Sequence, residues 1–154
     1  MISRREFLVR SAGLASVAAA ARPLGALVPG PLVAVYKNPT CKCCTRWVEH
    51  LKLNGFVTEV HDLDSVDGVK DRYGVPSAVR GCHTGVADGY VIEGHVPADD
   101  IARLLKERPK VAGLAVPGMP ASSPGMYQPG DAKEPYDVLA FQKSGATTKF
   151  ATHR

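Results

Sequence analysis

Three of the chain's four cysteines fall within four residues, Cys41-Lys42-Cys43-Cys44, and their surroundings leave little choice of local structure. Leu32-Val33-Ala34-Val35-Tyr36 is a short apolar, partly β-branched run of the kind that makes a buried strand. Lys37-Asn38-Pro39-Thr40 is a turn, and Thr40 can cap a helix that starts near Cys41 and runs through Trp47, Val48 and Leu51. Asn54-Gly55 stops that helix, and Phe56 to His61 reads as a second strand. The thiols therefore stand at the turn into a helix. There the unpaired backbone N–H groups and the macrodipole favour a thiolate, and Lys42 adds a positive charge. Thiol–disulfide exchange and metal binding both begin from a thiolate.

Farther along, a weaker helix is expected from Ser65 to Tyr73, closed by Gly74. His83 to Ala87 and Tyr90 to Gly94 are strand-like and flank Asp88-Gly89, a strong hairpin signal. Pro97-Ala98-Asp99-Asp100 opens a helix through Ile101, Leu104 and Leu105 that ends by Pro109. The order β-α-β-α-β-β-α is that of a thioredoxin-like α/β fold, a mixed sheet flanked by helices. Val116 to Gly130 is a long Pro/Gly-rich irregular stretch. Tyr136 to Gln142 and Thr147 to Ala151 read as a further hairpin around Lys143-Ser144-Gly145, an extension of the same domain.

The hairpin register places the fourth cysteine. With Asp88-Gly89 as a two-residue loop, Ala87 faces Tyr90 and Cys82 faces His95. Directly opposed side chains on one face have Cβ atoms about 5 Å apart, close enough for a thiolate and an imidazole to share one ion. In the expected fold that end of the hairpin lies near the start of the first helix. Spacing thus gathers Cys41, Cys43, Cys44, Cys82 and His95 as candidate metal ligands. A three-residue loop would put His83 opposite His95 instead, so His83 is a further candidate. Met119 and Met126 lie in the Pro/Gly stretch, where there is little core for a methionine to fill. Their thioethers suit Cu(I), although packing of the loop over the site also accounts for them.

Three chemistries compete for the cysteines. A C-x-x-C pair, Cys41 and Cys44, after a strand in a βαβ unit is the pattern of a thiol–disulfide oxidoreductase. The third clustered thiol, Cys43, invites mispairing in that role. It is useful to a soft metal, because sulfur can bridge several ions and thiolates select Cu(I) or zinc. A structural staple is the third option, but three thiols in four residues make a poor one. No Ser-His-Asp arrangement, paired-carboxylate site or phosphate-cradling glycine loop stands out, so no catalytic residue is assigned. Asp62, Asp64 and Asp67 are most simply a solvated helix start.

The N-terminus reads as an address. Ser3-Arg4-Arg5-Glu6-Phe7-Leu8 is a twin-arginine signature, followed by an uncharged Ala-rich run from Ala12 to Ala21. The run is shorter than the roughly 20 apolar residues a spanning helix needs. Residues 1–26 are thus expected to be a signal peptide cut after Ala21 or Ala26, and 31–154 the folded domain, delivered to the periplasm. Cut after Ala21, the signal carries half of the chain's formal net charge of +4. The mature domain is then near neutral, without the basic runs that nucleic-acid or membrane-surface binding would use.

Several segments also carry a resemblance. They are Tyr36-Lys37-Asn38-Pro39-Thr40-Cys41-Lys42-Cys43-Cys44 with Trp47, Tyr73-Gly74-Val75-Pro76, Cys82-His83-Thr84 and Glu93-Gly94-His95-Val96-Pro97, then Ala115-Val116-Pro117-Gly118-Met119-Pro120 and Ser123-Pro124-Gly125-Met126. Together they resemble the CopG family of periplasmic copper-resistance proteins, thioredoxin-like proteins with a C-x-C-C motif, over most of the mature chain. The resemblance implies copper held at a cysteine-bridged multinuclear cluster. It carries over to Cys41, Cys43, Cys44 and Cys82, and to His95. It also implies a part in copper handling or resistance, alongside other periplasmic copper-handling proteins. Lys42 departs from the family's glycine at that position, which bears on loop geometry and thiolate basicity but keeps the ligands.

Overall fold

The computed structural model describes residues 29–154, so the expected signal peptide lies outside the described residues. Strand β1 (Leu32–Lys37) buries Val33 and Val35 on alternate positions, as a strand with one face on the core must. Helix α1 (Lys42–Leu53) lays Cys44, Trp47, Val48 and Leu51 on one stripe. Its N-cap is Cys41 rather than the expected Thr40, with the Cys41 sulfur accepting the Cys44 N–H at 3.4 Å. Thr40 instead donates to the Asn38 side chain, closing the turn before the helix. Strand β2 (Val57–Asp62) follows, then the short helix α2 (Asp67–Tyr73), closed by Gly74 in the left-handed conformation.

Strands β3 (His83–Ala87) and β4 (Tyr90–Gly94) form the expected hairpin, with Ala87 opposite Tyr90 and Thr84 opposite Glu93. Asp88 and Gly89 both have positive φ, 47° and 85°, as a two-residue turn that matches strand twist requires. Helix α3 (Ala98–Glu107) then crosses to β5 (Gly113–Val116), which pairs in parallel with β4. This strand was not expected. Four residues flanked by prolines are too short to show alternation, and β5 is buried on both faces. It carries the sheet onward to β6 (Tyr136–Phe141) and β7 (Thr147–His153).

The result is a mixed α/β architecture, with three α-helices and a seven-stranded sheet ordered β2-β1-β3-β4-β5-β6-β7 among the described residues. The β1/β2 and β4/β5 pairs are parallel, and each is followed across the sheet by two antiparallel pairs. Helices α1 and α3 pack on one face over Val33, Val35, Ile92, Leu114 and Val138. On the opposite face, beside α2, Val75, Val79, Val91, Ala115 and Phe141 form a smaller core. The C-terminal hairpin is integrated rather than appended. His153 ends β7 with its Nε2 2.6 Å from an Asp100 carboxylate oxygen on α3 and its ring stacked on Tyr136. Among the described residues no helix is long and apolar enough to cross a membrane.

His50 joins the two helices of the main face: its Nε2 accepts the Ala98 N–H at the start of α3, 3.0 Å away. Burial lowers its pKa below 6.5, with Asp99 opposing the shift. An imidazole less basic when folded than when unfolded contributes stability that is fully present above pH 6.5 and lost as the pH falls below it. The urea midpoint of the metal-free protein is therefore expected to decline between about pH 7 and pH 5. In His50→Gln, whose amide can accept the same N–H without titrating, the decline should be shallower.

Candidate metal centre

Two elements converge at one end of the sheet. The first is the N-terminus of α1, which presents the sulfurs of Cys41, Cys43 and Cys44. The second is the open end of the β3–β4 hairpin, which presents Cys82, His83 and His95. The Cys82 sulfur lies 3.4 Å from that of Cys44, and the Cys41 and Cys43 sulfurs are 3.5 Å apart. All four sulfurs lie within 4.8 Å of one another. Cys82 also belongs to a second group, with ligand atoms of His83 and His95 again within 4.8 Å of one another. Cys82 is thus the hinge between a sulfur cluster and an imidazole pair.

Cys41 and Cys44 are joined by a disulfide, with Cα atoms 5.3 Å apart, while Cys43 and Cys82 are free. In this oxidised form two of the four sulfurs are not thiolates. The four can act together on a metal only after reduction.

The histidines are arranged by their second nitrogens. His95 is fully buried, and its Nδ1–H donates to the Pro124 carbonyl at 2.7 Å. That bond fixes the tautomer and leaves the Nε2 lone pair facing Cys82 sulfur, 3.2 Å away. His83 is fully buried against Trp47, ring centroids 4.2 Å apart. Its Nδ1 is 3.4 Å from the Cys82 sulfur, and its Nε2 is buried without a hydrogen-bond partner. A buried unpartnered nitrogen costs free energy. The nitrogen that faces the cluster is Nδ1, and it is the one placed to ligate an ion beside Cys82. Trp47 holds the same corner through its Nε1–H to the Val96 carbonyl, 2.8 Å.

Burial disfavours the charged forms of Cys82, His83 and His95. Burial and the neighbouring Cys43 push the Cys82 thiol up to about 12. Burial, and then His95, lower the pKa of His83 well below the ordinary imidazole range. Burial also lowers that of His95. A soft cation held here would have to displace the Cys82 thiol proton, and would find His83 and His95 already in their ligating, neutral form. The donor set, four sulfurs with one or two imidazoles, fits Cu(I) by softness and admits zinc.

The Pro/Gly-rich segment closes the centre. Gly125 sits so near α1 that an added Cβ would lie 2.7 Å from the Trp47 nitrogen and 2.8 Å from the Cys43 carbonyl oxygen. Its carbonyl accepts from Arg46 Nε at 2.7 Å, and Ser123 is fully buried. Met126 follows directly and is half-buried, whereas Met119 is 37% exposed. Of the other histidines, His50 holds α3, His61 stacks on Tyr36 and His153 meets Asp100. Sequence reasoning missed a buried group behind the hairpin, Lys70, Thr84 and Glu93. An acidic residue within an otherwise apolar strand run was the available signal.

Among known proteins, residues 79–126 match the family model described as a protein of unknown function, DUF411. No curated protein matches. Two solved structures titled as forms of copper resistance protein CopG match over nearly their whole length. Form 1 is 43% identical, with a TM-score of 0.74, covering 80% of this chain and 98% of that one. Form 2 is 42% identical, with a TM-score of 0.75, covering 81% and 99%.

The tight seat of Gly125, at φ 84°, gives a direct check on the closing segment. Gly125→Ala should destabilise the protein by about 1–3 kcal/mol in urea unfolding. It should also raise the alkylation rate of Cys82 in the reduced, metal-free protein as the segment lifts.

Proposed function

Because the chain belongs to the family of the copper resistance protein CopG, we propose that it binds copper, as Cu(I), in sequestration, handling or resistance. Cys41, Cys43, Cys44, Cys82 and His95 supply the donors, and His83 stands ready as a further one. The observation that carries this reading is the convergence of four sulfurs within 4.8 Å beside two imidazoles that burial keeps neutral. Cys82, shared between both groups, gives a bridging thiolate its natural place, so more than one ion can be held. The copper is cargo rather than a fixed cofactor. It is taken up by the reduced form and shielded from water by the segment around Gly125. Met119 and Met126 act mainly by packing that segment.

The order β2-β1-β3-β4, with β3 antiparallel to both neighbours, supports reading the first four strands as thioredoxin-like. The twin-arginine pattern supports export to the periplasm, where copper-handling partners would be met. A second reading, a thiol–disulfide or copper oxidoreductase using Cys41 and Cys44, is favoured by one observation. These two residues form a disulfide at a helix N-terminus, where a thiolate leaving group is stabilised.

Anaerobic Cu(I) titration of the reduced full chain, with thiol counting, separates the two. The metal reading expects at least one copper per chain and a lower stoichiometry in Cys43→Ser. The redox reading expects Cys43 to be dispensable. Less than one copper per chain, with disulfide-reductase activity intact, would overturn the first reading.

A further inference from the structure

Lys70 and Glu93 form an ion pair with side chains 2% and 0% exposed, reaching across from α2 to β4 on the sheet face opposite α1. Burying two charges is expensive, and well-packed apolar residues of similar volume are often as stable or more so. The hydrogen bonds of the pair point to a different use. Glu93 Oε1 accepts the Gly81 N–H at 2.7 Å, and Lys70 Nζ donates to the His83 carbonyl at 3.4 Å. Thr84 ties the two together, accepting from Lys70 at 3.0 Å and donating to Glu93 Oε2 at 2.9 Å. The contacts with Gly81 and His83 fall on the two residues that flank Cys82.

We propose that the Lys70–Glu93 pair is a positioning device for the metal centre, holding the backbone on either side of Cys82 so that its sulfur faces Cys44 and His95. The need for such a device follows from the register. The β3–β4 ladder is regular as far as Thr84 and Glu93. Gly81 and Cys82 lie beyond it, between the short 3-10 turn Ser77–Val79 and the strand, without the ladder to fix them. The Cys82 sulfur must nevertheless hold separations of 3.4 Å and 3.2 Å to two different elements. The buried pair supplies that fixity from behind, where it does not compete for a metal ion. The benefit to a metal rests on Cys82 being a copper ligand, as proposed above; the placing of the Cys82 sulfur by the pair does not.

The test compares full-length, reduced wild type with Glu93→Gln, Thr84→Val and the apolar double variant Lys70→Met/Glu93→Leu. Cu(I) affinity is read by competition with a chromogenic chelator, and melting temperature is followed alongside. Supporting partners of this kind typically change metal affinity by about 10–100-fold. The double variant is expected to melt within a few degrees of wild type yet to lose affinity in that range, with weaker sulfur-to-copper charge-transfer absorption. Thr84→Val, the mildest change, should show a smaller loss in the same direction, and it decides the matter if the double variant does not fold. A folded double variant with wild-type affinity overturns the proposal. So does an equal affinity loss in Ile101→Val, a core variant on the other face destabilised to a similar degree. A metal-free arm separates this idea from the copper reading itself. In reduced apo protein, Glu93→Gln should raise the rate of Cys82 alkylation relative to Cys43 severalfold. If wild type binds no Cu(I) and that ratio does shift, the copper reading fails and the positioning role stands; an unchanged ratio sinks the positioning role.

Discussion

The turn at Asp88-Gly89 determines which side chains meet at the other end of its hairpin. Because strand side chains alternate, a slip of one residue would send Cys82 and His95 to different faces. The two-residue loop holds Thr84 opposite Glu93; beyond that pair the ladder ends, Gly94 takes a positive φ of 70°, and the Cys82 sulfur comes to lie 3.2 Å from His95 Nε2. The helix that carries the other three sulfurs is placed by its own apolar stripe. Trp47 and Leu51 bury completely against the sheet, and Cys41, as the cap, turns its sulfur onto the first turn. The helix start offers three sulfurs, and the hairpin offers Cys82 with two imidazoles. Packing α1 onto the sheet joins the two.

That packing creates a centre with a consistent chemical character. It is desolvated, which pushes the Cys82 thiol toward its protonated form and His83 and His95 toward neutral imidazole. It is closed by a segment whose carbonyls are used from both sides, Pro124 by His95 and Gly125 by Arg46. It is also redox-sensitive, since the Cys41–Cys44 bond withdraws two thiolates at once. Oxidation and metal occupancy compete for the same atoms. The metal-binding and thiol–disulfide readings therefore describe alternative states of one set of sulfurs.

Much of this geometry was legible in the sequence. The Asp-Gly signal gave the hairpin and its register, and the apolar spacing of Trp47, Val48 and Leu51 gave α1. That register brings Cys82 and His95 to the same end of the hairpin, and their final approach depends on the bend at Gly94, which the alternating pattern does not mark. What stayed hidden depends on contacts between distant residues. Strand β5 is four residues long and buried on both faces, so no alternation marks it. His153 acquires its place only because β7 brings it beside Asp100. Lys70 reads as a surface lysine on a weak helix until the sheet behind it supplies Glu93. Thr40 looked like the cap because hydroxyls usually are, whereas the side chain of Asn38 engages it first and the sulfur of Cys41 takes over.

The central claim is that sulfur from two elements and imidazole from one hairpin act on the same ion. Copper K-edge X-ray absorption of the reduced, Cu(I)-loaded full chain tests it most directly. The account predicts a first shell dominated by sulfur with an imidazole contribution that disappears in His95→Gln. A shell of nitrogen and oxygen donors alone, or one unchanged when Cys82 and His95 are both replaced, would contradict it.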